Sequence, residues 1–149
     1  MTQLEMNQRT TAQAGKVLYT ARIHTTGGRE HGASRSSDGH LDVKLSAPGS
    51  GRIGTNPEQL LAAGWSACFE SAIALAARNR KIALPADPAI NAEVDLHLGD
   101  AGYFLSARLN VSLPGIERSV AQSLADEAHR ICPYSKATRG NIDVAINVV

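Results

Sequence analysis

Aromatic side chains make up only 4% of this 149-residue sequence. So few flat rings leave little for bases to stack on, and 15 basic against 14 acidic residues give a net charge of just +1. With no basic run either, nucleic-acid binding has no footprint here. There is no Cys-x-x-Cys pair, no Gly-rich phosphate loop ahead of a helix and no heptad repeat. Redox proteins of the thioredoxin type, nucleotide-binding folds and coiled coils therefore lack their motifs. The histidines at 24, 31, 40, 97 and 129 show no metal-ligand spacing, and His97 reads as a solvent-facing strand residue. The charge-free run Gln59–Phe69 meets Glu70 after eleven residues, too short for a membrane span. Met1–Gly15 is polar and lacks the apolar core of a signal peptide, so residues 1–15 are expected to form a loose arm on a cytoplasmic protein whose single domain is 16–149. Cysteines are scarce too. In a reducing compartment Cys68 and Cys132 are either inert buried residues or a catalytic redox pair, not a structural staple.

What the sequence does contain is organised around Gly54–Phe69. Thr55 or Asn56 can cap a helix there, Pro57 suits its first position, and Glu58 sets a negative charge at the positive end of the dipole. From Gln59 to Phe69 small residues dominate, which predicts a central helix that other elements approach on every side. Lys16–His24 alternates and reads as a first strand ending at Thr25–Gly28, with a more polar second strand over about Glu30–Ser37. Leu41, Val43 and Leu45 mark a third, stopping before Pro48. Pro85 and Pro88 mark a linker beyond the helix. Two alternating runs around Gly99–Gly102 form the clearest hairpin; Ile116, Val120, Leu124, Ala128 and Ile131 follow at helical spacing, and Ile142–Val148 alternates as a closing strand. The order β-β-β-α-β-β-α-β with antiparallel hairpins is α+β, with sheets wrapped on two helices.

A reactive cysteine needs a cation or a helix N-terminus to favour its thiolate. Cys68 lies too deep in its helix for the dipole to help, so a basic side chain must come from elsewhere. Arg29, directly after the Gly27–Gly28 turn, is the candidate; Arg52 and Arg139 are rivals, and Glu58 could hold such an arginine in a bidentate pair. Ten residues of straight helix span about 15 Å, so Glu58 cannot reach Cys68 directly in its own helix. Either the helix bends near Gly64 or the two groups meet across a subunit boundary. A cysteine among alanines is also an ordinary small core residue. Cys132 precedes Pro133 at a helix break, where local rearrangement could bring a resolving thiol to its partner. His129, three residues before Cys132, permits a Cys–His nucleophile as well, but a solvated helix face is the simpler account of it.

Two of these stretches carry a resemblance. Gly54-Thr55-Asn56-Pro57-Glu58-Gln59-Leu60 through Ala67-Cys68-Phe69, and Cys132-Pro133-Tyr134-Ser135-Lys136-Ala137-Thr138-Arg139-Gly140-Asn141-Ile142, resemble the signature blocks of the organic hydroperoxide resistance proteins of the OsmC-like superfamily. Ser36–Ser46 and Thr26–Arg29 resemble two further blocks. The resemblance implies an OsmC-like α+β fold in an intertwined homodimer. It implies a thiol peroxidase that reduces organic hydroperoxides to alcohols and is re-reduced by lipoylated proteins, an external dithiol rather than a bound cofactor. By position Cys68 would be peroxidatic and Cys132 resolving, with Arg29 and Glu58 as the activating arginine and its carboxylate. The segment after Arg29 departs from the family pattern and offers Arg35 as a rival. Trp65 stands where tyrosine is usual and Glu70 adds a charge beside the thiol, changes expected at the pocket wall. Two other readings use the same residues: a Cys–His hydrolase, and a non-catalytic protein holding an apolar ligand.

Overall fold

The computed structural model describes residues 15–84 and 87–149, so the expected N-terminal arm lies almost wholly outside the described residues, as does Pro85. Six strands and four helices follow one another as β1 (Ile23–Thr26), α1 (Gly28–His31), β2 (Ala33–Ser36), β3 (Asp42–Lys44), α2 (Pro57–Asn79), β4 (Ala89–Gly99), β5 (Gly102–Ser112), α3 (Arg118–Ile131), α4 (Pro133–Thr138) and β6 (Asp143–Val148). They make an α+β fold of two three-stranded sheets, β1-β2-β3 and β4-β5-β6.

The long hairpin pairs without a slip from Ala89 opposite Ser112 to Gly99 opposite Gly102. Its period-two pattern sends Val94, Ala107, Leu109 and Val111 toward the helices and leaves Glu93, Asp95, Ser106 and Arg108 outside. On that outer face Arg108 forks onto Asp95 at 2.6 and 3.0 Å and reaches Glu93 at 3.0 Å. The guanidinium holds the Asp95 carboxyl down at about 2. His97 sits on the same polar ladder, bonded to Ser106 Oγ at 2.7 Å and stacked on Phe104. β6 returns through α3 and α4 and runs parallel to β5, so this sheet is not wholly antiparallel as the alternation suggested. A crossover that carries the chain back to the starting end of the sheet gives that direction.

Helix α2 starts where expected: the Asn56 side chain accepts from Gln59 N–H at 2.9 Å, with Pro57 in the first turn. At 23 residues it is longer than its charge-free run, and by length and composition alone it could cross a membrane. One face is instead spent in the core, against β4 and α3. Trp65, Phe69, Ile73, Ala76 and Ala77 are at most 1% exposed, and Leu109, Val111 and Leu124 are fully buried with them. Each large side chain buried this way contributes about 1.5–3 kcal/mol. The opposite face, with Ala63, Ala67, Ser71 and Leu75, is exposed. α2 is therefore central but one-sided within the chain, not enclosed all round.

The N-terminal sheet differs most from expectation. Residues 16–22 form no strand, and Val17, Leu18 and Tyr19 are 77%, 88% and 78% exposed. Among the described residues nothing covers the apolar alternation read there. The second strand is shorter than expected because α1 takes up Gly28–His31, entered through Gly27 and Gly28 at φ 74° and 70°. Only glycine adopts two such angles in succession without strain. This small sheet joins the rest through the Leu45–Thr55 bridge and through an ion pair from α1 to α2.

Candidate active site

The two cysteines, far apart in sequence, come together in space. Cys68 is carried in mid-α2, and Cys132 is the hinge residue between α3 and α4, extended at φ −63°, ψ 125°. Its N–H closes α3 on Ala128 at 2.8 Å while its carbonyl accepts from Lys136 of α4 at 2.9 Å. Pro133 then opens α4, so the chain turns sharply at the thiol. Both cysteines are free, Cys68 partly exposed and Cys132 wholly buried. The two thiols lie near enough for Cys132 to bear on the ionisation of Cys68, as does the backbone N–H of Tyr134.

Burial pushes the Cys68 thiol up from its ordinary value, and Cys132 pushes it further; only the Tyr134 N–H opposes them. No arginine among the described residues bears on this thiol. Arg29 is instead held by Glu58 at 2.8 Å, each stabilising the charge of the other: the Glu58 carboxyl is lowered and the guanidinium raised. The pair borders a cleft of about 340 Å³ whose floor includes Ala62, Val94 and Leu96. α2 runs unbroken past Gly64, with about 15 Å of helix between Glu58 and Cys68. The rival arginines are engaged elsewhere. Arg35 is 3.9 Å from Asp42, Arg52 bonds His31 Nδ1 at 2.8 Å, and Arg139 donates to the His129 carbonyl at 2.6 Å.

Sequence reasoning missed what fixes α4 over α2. Trp65 is a core residue and not part of a pocket wall: at 0% exposure its Nε1 donates to buried Ser135 Oγ at 3.2 Å. One residue earlier, a Cβ on Gly64 would lie 2.6 Å from the Tyr134 hydroxyl. Gly64 thus makes room for the Tyr134 ring, one turn before Cys68. A lone glycine inside an alanine-rich helix is the signal that could have shown this close approach. His129 is half-buried, its Nδ1 without a partner among the described residues, and burial lowers its pKa. It is not the solvated side chain expected.

The OsmC-like protein family model matches residues 47–147, which include both cysteines and Glu58. The organic hydroperoxide resistance protein of Xanthomonas axonopodis pv. citri is 46% identical over 141 residues, 92% of this chain and 99% of that one. This chain belongs to the OsmC-like organic hydroperoxide resistance family. OhrA of Bacillus subtilis, 42% identical over 136 residues, covers 88% of this chain and 96% of its own length. The crystal structure of OhrB from the same organism superposes with a TM-score of 0.84 at 40% identity, over 89% of this chain and all of the other. The family member described here thus keeps the fold of a solved relative, with the Arg29–Glu58 pair and the Cys68–Cys132 pair at separate places on one chain.

Proposed function

We propose that this protein is a cysteine-based peroxidase that reduces organic hydroperoxides to alcohols in the cytoplasm. The observation that carries the reading is the pair of free thiols brought near one another, one partly exposed and one buried, in a family whose relatives are named for organic hydroperoxide resistance. The Cys68 thiolate attacks the distal peroxide oxygen and the O–O bond breaks. The alkoxide leaves and takes a proton, and Cys68 becomes a sulfenic acid. Cys132 then attacks that sulfur, water departs, and the Cys68–Cys132 disulfide shields Cys68 from overoxidation. An external dithiol such as a dihydrolipoyl group, carried on a lipoylated protein, returns both thiols.

Burial disfavours the Cys68 thiolate, so it needs a cation that no described residue of its own chain supplies. In this reading two chains associate as an intertwined homodimer, and Arg29, oriented by Glu58, meets Cys68 of the other copy. There it favours the thiolate and stabilises the departing alkoxide. The apolar floor of the Arg29–Glu58 cleft favours alkyl over hydrogen peroxide. The hydrolase alternative is disfavoured because Cys132, the thiol nearest His129, is closed to any acyl substrate.

The test mixes reduced protein with a small excess of cumene hydroperoxide or hydrogen peroxide, follows free thiols with time and maps disulfides by mass spectrometry. Loss of two thiols to one Cys68–Cys132 bond, faster with the organic peroxide, is expected. Survival of both thiols would sink the reading and turn attention to an apolar ligand in the cleft.

A further inference from the structure

We propose that a cleft behind α1, between Lys44 and Arg52, is a binding site for a phosphate group, taken as the free ion or as a phosphomonoester. The inference does not depend on the peroxidase reading.

The cleft has a volume of about 290 Å³ and is bordered by Thr26, His31, Lys44 and Arg52 over a floor of glycine backbone. Close packing fixes that floor. A Cβ on Gly27 would lie 2.9 Å from the Gly32 Cα, and one on Gly32 would run into the Thr26 and Gly28 carbonyl oxygens. Thr26 pairs with Ala33, and Ala33 with Lys44, so the Thr26 hydroxyl and the Lys44 ammonium rise from one row on one face of the small sheet.

Two cations meet here with no acid to answer them. Among the described residues neither Lys44 nor Arg52 has a carboxylate within 4.0 Å. Asp42, two residues from Lys44, lies 3.9 Å from Arg35, and Glu30 borders the cleft of Arg29, Leu96 and Tyr103 instead. Arg52 gives one N–H to His31 Nδ1 at 2.8 Å, and because a guanidinium only donates, that nitrogen is the acceptor. The guanidinium carries five N–H groups, so its fork keeps donors for an oxyanion while His31 holds it in place. A phosphate fits this set: the planar fork takes two of its oxygens, the ammonium adds a point charge, and two cations match a charge of up to about −2.

The cleft lies away from the place where Arg29 would meet a second copy. α1 advances about 100° per residue, so Arg29 and His31 leave its single turn on nearly opposite sides. Arg29 turns to Glu58, and His31 turns to Arg52.

The experiment titrates the protein with inorganic phosphate and, separately, with glycerol 3-phosphate. Backbone amide shifts are followed in about 0.1 M sodium chloride, where charges more than about 10 Å apart are screened. Saturable shifts confined to the amides of residues 26–33, Lys44 and Arg52 are expected, with a Kd of about 1 mM or below. Lys44→Gln and Arg52→Gln should each weaken binding about tenfold. His31→Ala should weaken it through Arg52, and His31→Gln, which keeps an acceptor for the guanidinium, should restore it. Arg130→Gln, at an exposed position on α3, should leave it unchanged, since a net charge of +1 gives little general attraction. Tighter binding of glycerol 3-phosphate makes a phosphomonoester the ligand, and equal or weaker binding makes it the free ion. No saturation by about 10 mM with either probe overturns the proposal. So does equal weakening by Arg130→Gln, and a His31→Gln protein that binds no better than His31→Ala overturns the role of His31.

Discussion

Mixing two inactive variants tests where the activating arginine comes from. Glu58, which holds Arg29, lies about 15 Å along α2 from the Cys68 of its own chain, a separation set by ten residues of helix. At that range in water a unit charge is worth about 0.3 kcal/mol, or about 0.2 of a pKa unit, too little to offset the burial that raises the thiol. At about 4 Å across a subunit boundary, with an effective dielectric near 20, the same charge is worth about 4 kcal/mol, or about three units. Arg29→Ala is therefore expected to slow hydroperoxide consumption by about a hundredfold to a thousandfold at pH 7, and Cys68→Ser to abolish it. Refolded together at equal amounts, the two variants form hybrids in half of the dimers. Each hybrid holds one complete site, because its wild-type Arg29 and its wild-type Cys68 sit on different chains. The expected recovery is about a quarter of wild-type activity. Separate affinity tags confirm that hybrids are present, and initial rates with cumene hydroperoxide give the readout. Hybrids with no more activity than the sum of the two variants would show that the arginine does not act across the boundary.

Two structural predictions follow from the same elements. Gly64→Ala gains about 0.5–1 kcal/mol of helix propensity but drives a methyl group to 2.6 Å from the Tyr134 hydroxyl, an overlap that costs about 1–3 kcal/mol. Urea denaturation should show net destabilisation, and Tyr134→Phe in that background should recover about 1 kcal/mol; a stabilised Gly64→Ala protein with no coupling to position 134 would contradict the packing. Asp95, held down at about 2 by Arg108 against an ordinary 3.8, contributes stability that is present above pH 4 and is lost as pH falls from there toward 2, because the unfolded chain binds the proton first. Thermal unfolding between pH 2 and 5 should decline less steeply in Asp95→Asn than in wild type, and identical slopes would assign the acid sensitivity elsewhere.

What the sequence made legible was local, and what it hid was relational. Asn56-Pro57-Glu58 specifies a helix start by its own chemistry, and the Leu96–Leu105 region alternates strictly enough to place both hairpin strands. Periodicity reports that a face is covered without saying by what. The Lys16–His24 alternation therefore reads as a strand inside the domain, whereas Val17 and Tyr19 stand exposed, with no described residue covering them. Alternation also carries no direction, which is why β6 could be found without seeing that it runs parallel to β5. α1 spans a single turn, too short for any period, and its glycine pair looked like a plain tight turn. Gly64 leaves a bend open in the sequence because a glycine in a helix marks either flexibility or close approach, and the Tyr134 ring shows the close approach. The two thiols were recognisable from their blocks, but their contact depends on how α3 and α4 return to α2, which no spacing encodes. Helix geometry alone had already set Glu58 and Cys68 apart. The unbroken α2 leaves that distance standing, and among the described residues no cation of the same chain bears on Cys68.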